Sequence, residues 1–173
     1  NEALRIRPDY AEAHFNLALI LQNKGELNAA VGSYKKAIKL KPDYADAYNN
    51  LGIALNLQGE LDAAIGNYKA AIKFKPDYAD AYNNLGNAFK SKGKLDAAVD
   101  SFNQAITLQP DHAEAHYNLG LVMNKKGELN ASIKCYTEAI RFKPDYAEAY
   151  NNLGNAFEDN NDADSAVEIF NQA

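Results

Sequence analysis

An all-α solenoid of paired antiparallel helices is the fold class this sequence predicts, and three observations predict it. The first is a clock: Pro8, Pro42, Pro76, Pro110 and Pro144 are the only prolines, each 34 residues from the next. The second is a stretch, Lys41 to Gly52, that returns as Lys75 to Gly86, as Lys143 to Gly154 and more loosely as Gln109 to Gly120. The third is glycine at Gly25, Gly59, Gly93 and Gly127 on the same period, dividing each unit into two helix-length halves. A fixed period in this range means one supersecondary unit stacked on copies of itself.

Composition sets the bounds. Of 173 residues, 47% are hydrophobic, enough apolar material for a core and too much for a disordered chain. The formal net charge is −5, from 18 basic and 23 acidic residues with no basic stripe, which argues against a nucleic-acid partner. The single Cys135 has no partner for an internal disulfide. No apolar run reaches the roughly 18 residues of a membrane span, and no signal peptide is visible; Cys135 fits a reducing compartment or a secreted protein without bridges, and a cytoplasmic location is the leading expectation of the two. Asn1 to Ile6 matches Lys35 to Leu40, and Ala173 matches Ala37, so both ends fall inside a repeat. An excised piece of something longer is expected.

The elements then follow in order. Residues 1–10 are the end of a preceding repeat, 11–44, 45–78, 79–112 and 113–146 are full repeats, and 147–173 is a truncated fifth, all within one domain, 1–173. Each first helix is expected to begin at the Asp after Pro. There the carboxylate can cap open amides while an acid three residues later reaches back, as in Asp9/Glu12, Asp43/Asp46, Asp77/Asp80, Asp111/Glu114 and Asp145/Glu148. The first helix ends at the glycine, where a left-handed residue costs little; Asn161 takes that place in the fifth repeat. The second helix runs from about Asn28, Asp62, Asp96 or Asn130 towards the next proline, which cannot continue it.

At about 100° per residue, the first helix of 45–78 places Ala47, Tyr48, Leu51, Gly52, Ala54 and Leu55 on one side. Asp46, Asn49, Asn50, Ile53, Asn56 and Leu57 fall on the other. Gly52, Gly86, Gly120 and Gly154 lie inside helices, at a cost of about 1 kcal/mol relative to Ala. A cost repeated on one face predicts a close helix approach. Ala30, Ala64, Ala98, Ser132 and Ala166 supply small facing residues, and Tyr34, Tyr68, Phe102, Tyr136 and Phe170 the knobs.

These residues carry a resemblance to the tetratricopeptide repeat family. Its pattern asks for an aromatic, Leu, Gly, an aromatic, Gly, Ala, an aromatic, Ala and Pro at set offsets. Tyr82, Leu85, Gly86, Phe89, Gly93, Ala98, Phe102, Ala105 and Pro110 supply them. Departures are His14 and His116 at the first aromatic offset, Ala18 for Gly, and Leu21 and Met123 for an aromatic. The resemblance implies a right-handed superhelical solenoid of antiparallel helix-turn-helix repeats whose first helices line a concave, partner-binding surface.

The chemistry on that surface is amide chemistry. Asn16, Asn50, Asn84, Asn118 and Asn152 share one offset in all five repeats. Asn49, Asn83 and Asn151 precede three of them, and Asn87 and Asn155 add a row one turn on. A primary amide carries two donors and an acceptor, so a spaced row can hold an extended peptide by its backbone. A purely structural ladder is the alternative reading. The rows resemble those in the repeat domains of O-linked N-acetylglucosamine transferases. Phe15/Leu19, Asn49/Ile53, Asn83/Asn87, Tyr117/Leu121 and Asn151/Asn155 occupy the offsets where chaperone-binding relatives place cations, and none is a cation. A carboxylate clamp is therefore not expected. Phe15/Leu19 and Tyr117/Leu121 are candidate side-chain pockets.

No catalytic group, cofactor site or metal site is expected. His112-Ala113-Glu114-Ala115-His116 lacks the metalloprotease order and should pack as Tyr does at those offsets. Asp159 to Asp164 lacks the Gly and distal Glu of a calcium loop and reads as a solvated turn. The expected function is a protein–protein interaction scaffold binding an extended peptide segment. Two other readings stand beside it: a substrate-recruiting arm of a larger enzyme such as a protein glycosyltransferase, and end-to-end self-association through Leu4 and Ile6 at one end and Val167, Ile169 and Phe170 at the other.

Overall fold

The computed structural model describes residues 10–172, and among these it contains ten α-helices and no strand. They are α1 (Ala11–Asn23), α2 (Leu27–Leu40), α3 (Ala45–Leu57), α4 (Leu61–Phe74), α5 (Ala79–Ser91), α6 (Leu95–Leu108), α7 (Ala113–Lys125), α8 (Leu129–Phe142), α9 (Ala147–Asp159) and α10 (Ala163–Gln172). The expected pairing of helices is observed, with second helices starting one residue earlier than the sequence suggests. The chain divides into two compact units, Asn1–Lys92 and Gly93–Ala173. In the first, α1 pairs with α2 and α3 with α4, while α3 packs on α2 and α5 on α4. In the second, α7 pairs with α8 and α9 with α10, while α7 packs on α6 and α9 on α8.

The helix starts correct the sequence reading. The N-cap residues are Tyr44, Tyr78, His112 and Tyr146, two positions before the expected acid partner and one after the Asp. None of the tyrosines makes a side-chain cap bond; His112 does, its Nδ1 accepting from the Ala115 amide at 3.3 Å. Pro and Asp instead form the middle of a tight turn, closed by Tyr44 N to Lys41 O at 3.2 Å, Tyr78 N to Lys75 O at 3.2 Å and Tyr146 N to Lys143 O at 3.1 Å. Proline's fixed φ suits the second position of such a turn. Asp43, Asp77, Asp111 and Asp145 are thereby used one residue too early to cap; Pro8 and Asp9 lie outside the described residues. Each turn is clasped by its lysine, whose ammonium lies 4.6, 4.3 and 4.4 Å from the ring centroids of Tyr44, Tyr78 and Tyr146.

Between the helices of a repeat the expectation holds. Gly59 has φ +79° and Asn161 φ 59°. The Glu60 amide reaches back to Leu55 O at 2.9 Å and Asp162 to Phe157 O at 2.9 Å, satisfying carbonyls the helix end leaves open. A side-chain cap of the kind expected at the first helices occurs instead at α10. Asp162 accepts from the Ser165 amide at 3.1 Å and from its hydroxyl at 2.8 Å. The acidic run at 159–164 is thus a helix-capping turn.

The core of a repeat is one aromatic ring laid against a small residue of the first helix, a glycine at Gly52, Gly120 and Gly154, with Ala18 at that offset in the first repeat. An alanine Cβ at Gly52 would lie 2.6 Å from Tyr68 Cε1, and one at Gly120 2.6 Å from Tyr136 Cε1. Ala64 is fully buried beside Tyr68, which is itself 2% exposed. The tyrosine hydroxyl must then find a partner at the edge of the core. Tyr34 donates to Gln22 Oε1 at 3.1 Å, and Asn124 stands at the equivalent offset before Tyr136. Where the knob is Phe102 or Phe170, the corresponding first-helix residues are Lys90 and Glu158.

Two expectations follow. Gly52→Ala should destabilise by about 1–3 kcal/mol through overpacking, less the roughly 1 kcal/mol that alanine gains in helix propensity. Gly66→Ala in exposed α4, where nothing lies within 4 Å of the new methyl, should instead stabilise by up to about 1 kcal/mol; thermal melts of both variants measure the contrast. The second concerns alkaline pH. Burial pushes the Tyr34 and Tyr136 phenols from 10.0 up to about 12. Their folded-state pKa lies above the unfolded value, so the folded state holds more protons in that range. Stability is therefore complete below pH 10 and lost as pH rises towards 12. Tyrosinate absorbance should rise together with loss of helical circular dichroism.

Candidate functional site

In the first unit the asparagines divide into two sets. Asn49 and Asn83, expected on the open face, are instead 4% and 5% exposed. For Asn49 the reason is the next repeat. Asn49 Oδ1 accepts from Asn84 Nδ2 at 3.0 Å, and Asn49 also bonds the Tyr78 hydroxyl at the start of α5. That hydroxyl bonds Asp46 as well, and burial followed by the Asp46 charge pushes the phenol well above its ordinary pKa. A helical wheel treats α3 as isolated, whereas this edge of it is the seam with α5.

Asn50, half-buried, donates through Nδ2 to Asp46 O at 2.8 Å, one turn back on its own helix. Asn84 donates to Asn49 as above, and Asn16 is exposed. One amide hydrogen of Asn50 and one of Asn84 are thus engaged with the protein. Asn87, Leu19 and Ile53 are half-buried on the same helices, and Leu57 is 62% exposed. Desolvation lowers the pKa of the Lys90 ammonium here.

The second unit repeats the arrangement with different groups. Tyr117 takes the offset of Asn49, and its hydroxyl accepts from Asn152 Nδ2 at 3.0 Å. Asn152 spends its other amide hydrogen on Glu148 O at 2.8 Å, leaving Oδ1. The Tyr117 ring lies 4.8 Å from that of Tyr146 and 5.9 Å from that of Tyr136. Phe15 does the same in the first unit, 5.0 Å from Tyr44 and 5.9 Å from Tyr34. The expected pockets at Phe15/Leu19 and Tyr117/Leu121 are therefore aromatic seams between repeats, with all four side chains half-buried. Asn118 and Leu121 are half-buried; Asn151 and Asn155 are exposed.

Sequence reasoning missed the tyrosines that follow Asp. Burial and the nearby Glu114 charge raise the Tyr146 phenol to about 12, as Asp46 acts on Tyr78. The signal was present: the offset of Asn49 carries Phe15 and Tyr117 in other repeats, and a place shared by amides and aromatics is a packing seam. Glu12, Asp46, Asp80, Glu114 and Glu148 stand in the first turns of α1, α3, α5, α7 and α9 and put negative charge beside the amide row.

The remaining candidates have structural employment. His116 Nε2–H donates to Pro110 O at 2.9 Å, and its ring stacks on Phe142 at 5.5 Å. The Cys135 thiol is half-buried and burial pushes it up to about 11, away from thiolate chemistry at neutral pH. Among the described residues, no group of three or more His, Cys, Asp or Glu is placed to hold a metal ion, and no helix is long and apolar enough to cross a membrane.

Comparison with known proteins places this geometry. No curated protein matches the sequence. Among solved structures, MamA is 32% identical over 90% of this chain and 91% of its own, with a TM-score of 0.82. YrrB, a TPR protein with an unusual peptide-binding site, is 21% identical over 99% of this chain and 88% of its own, at a TM-score of 0.77. PilF of Pseudomonas aeruginosa is 20% identical over 94% of this chain and 74% of its own, at 0.87. At the last two identities the likeness is one of fold. The family described as TPR repeat matches residues 23–59, 54–92, 86–127 and 122–161, and a second, described as tetratricopeptide repeat, matches 1–32. The chain belongs to the tetratricopeptide repeat family.

Proposed function

We propose that this tetratricopeptide scaffold holds an extended segment of a partner protein against the first-helix faces of its units, with the asparagine Oδ1 atoms accepting backbone N–H groups of the segment. The observation that carries the reading is the fixed orientation of the amides. Asn50 and Asn152 each turn Nδ2 back to a carbonyl of their own helix, which leaves Oδ1 as an acceptor at the same offset in these two repeats. A held amide loses little rotamer freedom on binding, so its bond contributes more of its gross energy. Backbone recognition of this kind tolerates many side chains.

The set of contact residues follows from exposure. Asn16, Asn50, Asn84, Asn87, Asn118, Asn151, Asn152 and Asn155 carry the bonds, and Leu19, Ile53 and Leu121 supply apolar contact beside them. Asn49, Phe15 and Tyr117 act behind this layer by holding neighbouring repeats in register. Glu12, Asp46, Asp80, Glu114 and Glu148 border the face, favour cationic segments and repel acidic ones. The peptide-binding site of YrrB provides a precedent within the fold.

A displayed library of unstructured peptides supplies the probe. Replacing Asn50, Asn84 and Asn118 together by Ala should weaken the selected peptide at least ~10-fold, given about 0.5–1.5 kcal/mol for each hydrogen bond. Circular dichroism should show the same helix content. An unchanged affinity in the folded triple variant would rule out the amide row as the binding element.

A further inference from the structure

The second helices of the first unit carry a charge pattern that the sequence spreads out and the helix gathers. Lys35 and Lys36 stand four and three residues before Lys39 on α2, and Lys69 four before Lys73 on α4; all five are exposed. Lys35 and Lys69, like Lys39 and Lys73, are one 34-residue period apart, so the stripe repeats from helix to helix. No residue of α2 is acidic, and the one acid of α4, Asp62, pairs with Lys92 at the other end of that helix. Asp43 and Asp77 follow only in the turns beyond. Like charges one turn apart repel and weaken a helix. Leu40 and Phe74 end the two stripes, 39% and 41% exposed.

The same stripes hold a second local cost. Gly32 and Gly66, one turn before the lysines, stand mid-helix on the exposed side, where an added Cβ would meet nothing within 4 Å. Gly52 makes room for Tyr68, whereas no packing inside the chain requires Gly32 or Gly66. Local rules broken without a gain inside the fold belong to functional surfaces. The helix α4 packs on α3 before it and α5 after it, so its stripe is open in mid-chain and is not an end face. Leu4 and Ile6, at the expected end face, lie outside the described residues.

We propose that α2 and α4 dock an acidic segment of a partner protein. Its carboxylates meet the five lysines, its apolar side chains meet Leu40 and Phe74, and its backbone comes close over Gly32 and Gly66. Neutralising the lysine rows removes their repulsion, and charge complementarity selects an acidic partner. The glycines favour a polypeptide over a lipid surface or a nucleic acid, which would meet the lysine tips and draw nothing from a missing methyl. This stripe faces away from the first helices, so the site is separate from the amide row and does not rest on it. In α6 the offsets of Gly66, Lys69 and Lys73 hold Asp100, Asn103 and Thr107, so that helix does not continue the stripe.

Fluorescence anisotropy of a labelled acidic peptide built from Glu, Ala and Leu tests this on the 173-residue chain. Lys35→Asn, Lys39→Thr, Lys69→Asn and Lys73→Thr together install the residue types that α6 carries at these offsets, and should weaken the peptide at least ~10-fold at unchanged helix content. Gly32→Ala combined with Gly66→Ala should also weaken it while raising the melting temperature, a pairing that loss of fold does not produce. Unchanged affinity in either variant overturns the proposal. So does tighter binding of phosphatidylserine vesicles or duplex DNA than of the peptide in the same buffer. A sedimentation mass that rises with concentration and falls back in the lysine variant overturns it too, because the occupant is then a second copy.

Discussion

The contact between an aromatic ring on a second helix and a glycine on its partner, made at Gly52, Gly120 and Gly154, sets the scale of much else in this protein. Tyr68 lies so close to Gly52 that a methyl group has no room, and Tyr136 meets Gly120 in the same way. Close approach of the two helices follows from that missing side chain, and it fixes how far apart successive first helices stand. The spacing of the amides on those helices is a consequence. A glycine inside a helix is locally unfavourable; here the cost is offset by burying a whole ring.

The junctions between repeats depend on a different set of contacts. A large side chain or a buried amide at the offset of Phe15, Asn49 and Tyr117 meets the aromatic residue that starts the next first helix. In the first unit, Tyr78 is held by Asn49 and Asp46. In the second, Tyr117 meets the Tyr146 ring and accepts from Asn152. Polar groups buried at a seam are costly when unpaired, so each is drawn into a bond with its neighbour. The outer amides inherit their orientation from this layer. Fold and binding chemistry are joined at this seam, because the residues that align the repeats also position the acceptors.

How much of this was legible in the sequence depends on the range of the contact. The proline period, the glycine turns and the Tyr/Gly packing are set within one repeat and can be read from spacing alone. The helix start was displaced because Pro42 and Asp43 satisfy two rules at once, a cap and a turn, and the turn wins by taking Asp43 away from the N-cap. Asn49 was misplaced because its burial comes from Tyr78 and Asn84 in the next repeat, which a wheel drawn for one helix leaves out. The knob and its polar partner offered a finer signal. Tyr34 and Tyr136 go with Gln22 and Asn124, while Phe102 and Phe170 go with charged residues that such a hydroxyl does not have to meet.

The central claim is that the amides split into an inner set that aligns repeats and an outer set that meets the partner. Side-chain amide resonances, followed by nuclear magnetic resonance while a selected extended peptide is added, test it most directly. Asn16, Asn50, Asn84 and Asn152 should shift in proportion to occupancy, while Cys135 and its neighbours on α8 stay unchanged. Shifts confined to the second helices, with the outer asparagines silent, would contradict it.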